Sequence, residues 1–170
     1  VIVFDAAHTA APIIEAVGNR NVVAVVCTHG HNDHITVAPE LSAALDAPVL
    51  LHPADDMLWR DVHPDSPFHT VADDQVLTVG GLEIKAIHTP GHSPGSVCWH
   101  IPELGAVISG DTLFHGGPGA TGRSFSDADV RNGLIAMTKV SDPVGLNQFV
   151  EGGHGSAFDR VGAFQVERRS

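Results

Sequence analysis

Residues 21–28, NVVAVVCT, form an almost unbroken apolar run dominated by valine. Branched side chains of this kind favour an extended backbone, and without polar alternation both faces of the strand must be covered. A strand buried on both faces belongs inside a layered α/β architecture. The run passes directly into HGHNDH at 29–34, so three histidines and an aspartate leave its end within six positions. A rigid strand can aim ligands from its end.

The rest of the chain supplies the layers. VIVF at 1–4, PVLLH at 48–52, QVLTV at 75–79, LEIKAIHT at 82–89, SVCWHI at 96–101, GAVISG at 105–110 and QFVEGG at 148–153 read as strands. TAAPIIEAV at 9–17, VAPELSAALD at 37–46, ADDMLWRDV at 54–62 and SDADVRNGLIAMTKV at 126–140 read as helices, and 63–74 as loop. Helices flank two groups of strands, and 170 residues with 43% apolar content fit one domain spanning 1–170.

No apolar run reaches the length of a membrane span, and the opening VIVFDAAHTA lacks the basic region and cleavage site of a secretory leader. A formal net charge of -11 disfavours a nucleic-acid partner, which needs a basic face for phosphates. Cys27 and Cys98 lie in apolar, strand-like stretches and read as buried thiols, which fits a reducing, cytoplasmic setting.

Imidazole nitrogens and carboxylates are good ligands for zinc and other borderline divalent ions. A polar surface loop would also use Asp and Asn, but a metal site predicts further ligands at distant strand ends. TPGHSPGS at 89–96 sets His92 in a tight turn between two strands. VISGDTLF at 107–114 puts Asp111 after another strand, and FVEGGHGS at 149–156 puts His154 between glycines. The cluster at 29–34 has too many ligands for one open catalytic zinc and points to two metals.

This constellation resembles the metallo-β-lactamase superfamily. TPGHSPGS and GDTLF, with GRSFSD at 122–127, look most like its short, single-domain glyoxalase II-like branch of thioester hydrolases. The resemblance implies an αβ/βα sandwich of two mixed sheets flanked by helices, with the metal site along one edge. One or two strands usually precede a VIVFD-like strand in that family, and this chain starts without them. The longer members' C-terminal helical domain does not fit in the residues after His154. Beyond about residue 128 only GGHG matches.

The same resemblance implies roles. His29, His31 and His92 would bind a first metal, Asp33, His34 and His154 a second, and Asp111 would bridge both. The cofactors would be two divalent ions, zinc first and iron or manganese otherwise. A hydroxide shared between them would attack an acyl carbon, with Asp33 and Asp111 as the catalytic carboxylates. Asp5 and Thr28 are candidates to orient the imidazoles. Arg123, in a Gly-rich loop, is a candidate for an anionic substrate.

The expected partner is a small thioester or related acyl compound, with no nucleic acid or membrane, and a homo-oligomer is compatible. Competing readings are a mononuclear iron persulfide dioxygenase, a lactone or β-lactam hydrolase, and a metal-binding domain without catalysis.

Overall fold

The computed structural model describes residues 1–114 and 117–120. Ten strands and four helices alternate through them: β1 (Ile2–Phe4), α1 (Ala10–Val17), β2 (Ala24–Val26), α2 (Asn32–Ile35), α3 (Ala38–Leu45), β3 (Val49–Leu51), α4 (Asp56–Val62), β4 (His69–Thr70), β5 (Val76–Val79), β6 (Leu82–His88), β7 (Val97–Ile101), β8 (Ala106–Ile108), β9 (Leu113–Phe114) and β10 (Gly117–Pro118). A 3₁₀ turn, Pro53–Asp55, leads into α4, and another, Gly110–Thr112, follows β8.

The first sheet has the order β1-β2-β3-β4 and is parallel throughout. The second, β5-β6-β7-β8, is an antiparallel meander. Where two mixed sheets were expected, both kinds of pairing are present, but each keeps to its own sheet.

The valine run explains the packing. Val25 and Cys27 face a core shared with Ala10, Val17, Leu41 and Trp59 of the helices. Ala24 and Val26 turn the other way, into a core with Ala86, Val97 and Trp99 of the second sheet. One strand thus lines two cores, as period-two alternation requires. The result is an α/β sandwich: helices cover the outer face of the parallel sheet, and the antiparallel sheet packs on its inner face. Cys27 and Cys98 are both buried free thiols. No helix among the described residues is long and apolar enough to cross a membrane.

Three boundaries differ from the sequence reading. The strand expected over 21–28 is regular only over Ala24–Val26. His69–Thr70, expected as loop, pairs in parallel with Leu50 and Leu51. The run NDHI, which falls between the expected strand at 21–28 and the expected helix at 37–46, forms one helical turn. Such a turn is too short to persist on propensity alone; here it packs against α4. The helix at 126–140, the strand at 148–153, Arg123 and His154 lie outside the described residues.

Candidate metal centre

Strands of a parallel sheet all point the same way, so their C-terminal ends share one edge. Asp5 follows β1, Thr28–His34 follow β2, and His52–Asp55 follow β3. From the second sheet, the β6–β7 turn brings His92 and the 3₁₀ turn after β8 brings Asp111. Ligands in open α/β sheets gather outside the carboxyl ends of strands for this reason.

Two groups of ligand atoms converge there: His29, His31 and His92, and His29, His34 and Asp111, each with its atoms within 4.8 Å of one another. His31 Nδ1 and His92 Nε2 are 2.8 Å apart. Asp111 puts Oδ1 3.3 Å from His34 Nε2 and Oδ2 3.5 Å from His92 Nε2, so its two oxygens face different histidines. The structure therefore brings together His29, His31, His34, His92 and Asp111. Asp33 joins neither group: its side chain is 62% exposed and its Oδ2 lies 3.6 Å from His34 Nε2.

The hydrogen bonds behind the histidines settle which nitrogen faces inward. Asp5 accepts the Thr28 amide on Oδ1 at 2.8 Å and the Thr28 hydroxyl on Oδ2 at 2.9 Å. With its only proton so committed, Thr28 Oγ1 can only accept from His29 Nδ1, 3.1 Å away. His29 Nε2 is then left with a bare lone pair. That atom is buried and has no hydrogen-bond partner among the described residues. A buried acceptor left unpaired costs about 1–3 kcal/mol, and the surrounding ring nitrogens and carboxylate form the donor set a divalent cation takes. The residues present fit a metal.

Electrostatics agree. Burial, then the neighbouring rings of His34, His92 and His31, pushes His29 down to about 2, so it stays neutral and able to ligate. His31 is lowered mainly by burial, and next by His92. His34 moves the other way, raised chiefly by the Asp5 carboxylate, whose Oδ2 is 3.0 Å from its Nδ1. Asp5 thus contacts His34 directly and reaches His29 through Thr28, from a left-handed conformation, φ 53°, which Asp tolerates better than most residues. Gly110, at φ 48°, is needed beside it: a Cβ there would overlap the Thr28 hydroxyl and come within 2.7 Å of Thr28 Cβ.

The sequence reading singled out Asp5 and Thr28 as candidates to orient the imidazoles; Asp5 lies against His34 and Thr28 against His29. It missed Asp55, a fully buried carboxylate between the His29–His31 loop and the His92 turn. Its place in a helix-like run carries no signal of burial; the glycines beside both motifs, Gly30 and Gly95, are the one hint.

A sequence profile of the Metallo-beta-lactamase superfamily matches residues 1–158. The chain belongs to that superfamily. Among curated relatives, an uncharacterized protein of Aquifex aeolicus is 35% identical over 130 residues, covering 69% of this chain and 62% of its own length. The probable metallo-hydrolase YqgX of Bacillus subtilis is 35% identical over 112 residues, 58% of this chain and 53% of that protein. The chain thus spans little more than half the length of these curated relatives. Among solved structures of similar fold, the B3 metallo-beta-lactamase BLEG-1 superposes with TM-score 0.63 at 25% identity, covering 80% of this chain and 72% of that one. TTHA1623, in a di-iron-bound form, gives TM-score 0.63 at 27% identity, covering 79% and 74%.

Proposed function

We propose that this chain is a metal-dependent hydrolase with a two-metal site, and that its substrate is a small thioester of the glyoxalase II-like kind. The observation that carries the two-metal reading is Asp111, whose oxygens address His34 and His92 separately, 3.3 and 3.5 Å away. A carboxylate so placed would suit a bridge between two cations. Divalent ions held there would supply an acidified water and Lewis-acid polarisation of an acyl carbonyl.

The chain's own residues do the rest. His29, His31 and His92 would hold the first position, and His34 with Asp33 the second; the family pattern in GGHG supports His154 as its further ligand. Asp5 and Thr28 keep the imidazoles in the ligating tautomer. Asp33 closes the second position from the solvent side, where its exposure lets it meet incoming substrate. Arg123 receives an anionic group of the acyl thiol. The motifs TPGHSPGS and GDTLF support the glyoxalase II-like branch, and the relationship to YqgX supports a hydrolase. Zinc suits the histidine-rich set; the di-iron form of TTHA1623 supports iron as the alternative. A net charge of -11 supports a small-molecule partner over nucleic acid, and two free buried thiols support a reducing, cytoplasmic setting.

Metal content by plasma mass spectrometry, paired with a panel of S-acyl thiols, lactones and β-lactams, tests this. About two zinc or iron ions per chain and preferential thioester turnover are expected. Asp111→Ala should lose turnover and about one metal per chain. A single iron with oxygen uptake would replace this reading with the persulfide dioxygenase, and full loading without turnover would leave a metal-binding domain.

A further inference from the structure

The two loops that carry the first histidine group come from different sheets. His29 and His31 sit on the loop after β2, and His92 on the turn between β6 and β7. Their closeness needs something to hold the loops in register. One backbone bond does part of this, from Val97 N–H to Thr28 C=O at 2.8 Å.

The remaining ties meet at one side chain. Asp55 Oδ2 accepts from Gly30 N–H at 2.8 Å and from the Ser93 hydroxyl at 2.7 Å. Its Oδ1 accepts from Gly95 N–H at 2.6 Å. Gly30 lies between His29 and His31; Ser93 and Gly95 follow His92. Asp55 itself is 0% exposed, and no lysine or arginine among the described residues pairs with it. Burying a carboxylate without a cationic partner is unfavourable unless hydrogen bonds replace its hydration. Three donors do so here, and all three come from the metal-ligand loops. The fit is also steric. A Cβ on Gly30 would stand 2.9 Å from Asp55 Cβ, and one on Gly95 2.6 Å from Asp55 Cγ.

We propose that Asp55 is the positioning residue of the metal centre, one buried carboxylate that locks the His29–His31 loop onto the His92 turn. The proposal rests on the histidine cluster being a metal site. It goes further by assigning a role to a residue that ligates nothing.

Asp55→Asn keeps shape and volume but replaces one acceptor oxygen with an NH2 facing an N–H or hydroxyl donor. On the full chain stripped of metal, Zn(II) and Co(II) affinities are measured by chelator competition, with the Co(II) absorption spectrum and a melting curve. Affinity should fall about 10–100-fold, the Co(II) bands should change, and the fold should persist on the Val97–Thr28 tie. Leu41→Ala, in the helix-side core, serves as a control that lowers the melting temperature and leaves affinity unchanged. A second readout needs no metal: amide exchange should quicken selectively at 29–31 and 91–96 in Asp55→Asn.

Binding and exchange equal to wild type, or losses no more selective than those of Leu41→Ala, would overturn the role. Should Asp55→Asn fail to fold, Ser93→Ala removes one of the three bonds, and a several-fold loss of affinity is expected from it; an unchanged value overturns the proposal equally. If wild type binds neither ion while exchange still quickens in Asp55→Asn, the loop-locking role stands and the metal-hydrolase reading falls.

Discussion

His31 Nδ1 and His92 Nε2 are 2.8 Å apart although 61 residues separate them in the chain. At that distance one nitrogen must carry the proton and the other accept it. A second proton would set two cationic rings against each other, which is part of why His31 is lowered. A cation can take the place of the shared proton. His92→Ala should therefore remove about one metal per chain and reduce zinc affinity at least 100-fold, while the metal-free protein melts within about 0.5 kcal/mol of wild type. Metal analysis beside calorimetry checks both halves; retained stoichiometry would remove His92 from the site.

The tautomer of His29 depends on Thr28. Thr28→Val preserves shape but strips the acceptor from His29 Nδ1 and one donor from Asp5. The expected cost is about 1–2 kcal/mol of stability and about 10–100-fold in zinc affinity. Thr28→Ser should restore most of both. If valine binds zinc as tightly as threonine, the hydroxyl does not orient the ring.

Two glycines flank the His92 turn under different constraints. A Cβ on Gly95 would lie 2.6 Å from Asp55 Cγ and 2.8 Å from its backbone nitrogen. A Cβ on Gly91 would meet nothing closer than Thr89 O at 3.9 Å. Gly95→Ala should cost about 1–3 kcal/mol as an overpacking change, and Gly91→Ala under about 0.5 kcal/mol. Chemical denaturation of the two variants side by side decides the matter, and equal effects would contradict the packing around Asp55.

His52 stacks on His88 with ring centroids 3.9 Å apart and planes at 13°. Burial, then His88, pushes His52 down to about 4. The unfolded chain takes up this proton near pH 6.5 and the folded chain only near 4, so stability falls as pH drops through that window. The ring is half-buried, and solvent screening limits the effect to about 1 kcal/mol. His52→Gln should flatten that part of the melting-temperature profile. Other histidines of the same sign, His29 among them, keep a residual slope; a variant profile parallel to wild type would deny His52 its share.

Much of the fold was legible because its signals are local. The valine run needs cover on both faces wherever it sits, and β2 lines two cores accordingly. α1 and α3 fall within a residue or so of their expected ends, because their apolar spacing and the glycine after α1 act within a few turns. The one-turn α2 and the two-residue β4 were not legible. Each is too short to form on propensity and exists because α4 or β3 lies beside it.

The site divides along the same line. The chemistry of HGHNDH, TPGHSPGS and GDTLF belongs to the residues themselves, so the identities of His29, His31, His34, His92 and Asp111 could be read in order along the chain. Residue types alone name the candidate ligands and the strand ends that present them. Which ligands meet was decided only by tertiary structure: His29 faces both groups, Asp33 stands at the exposed rim, and Asp111 splits its oxygens between two histidines. Asp55 is the sharpest case. Nothing near it in sequence distinguishes it from a helix-capping aspartate. Its role arises where two sheets bring Gly30, Ser93 and Gly95, 25 to 40 residues away, around one carboxylate. Buried polar groups are obliged to find partners, and folding alone chooses which ones they find.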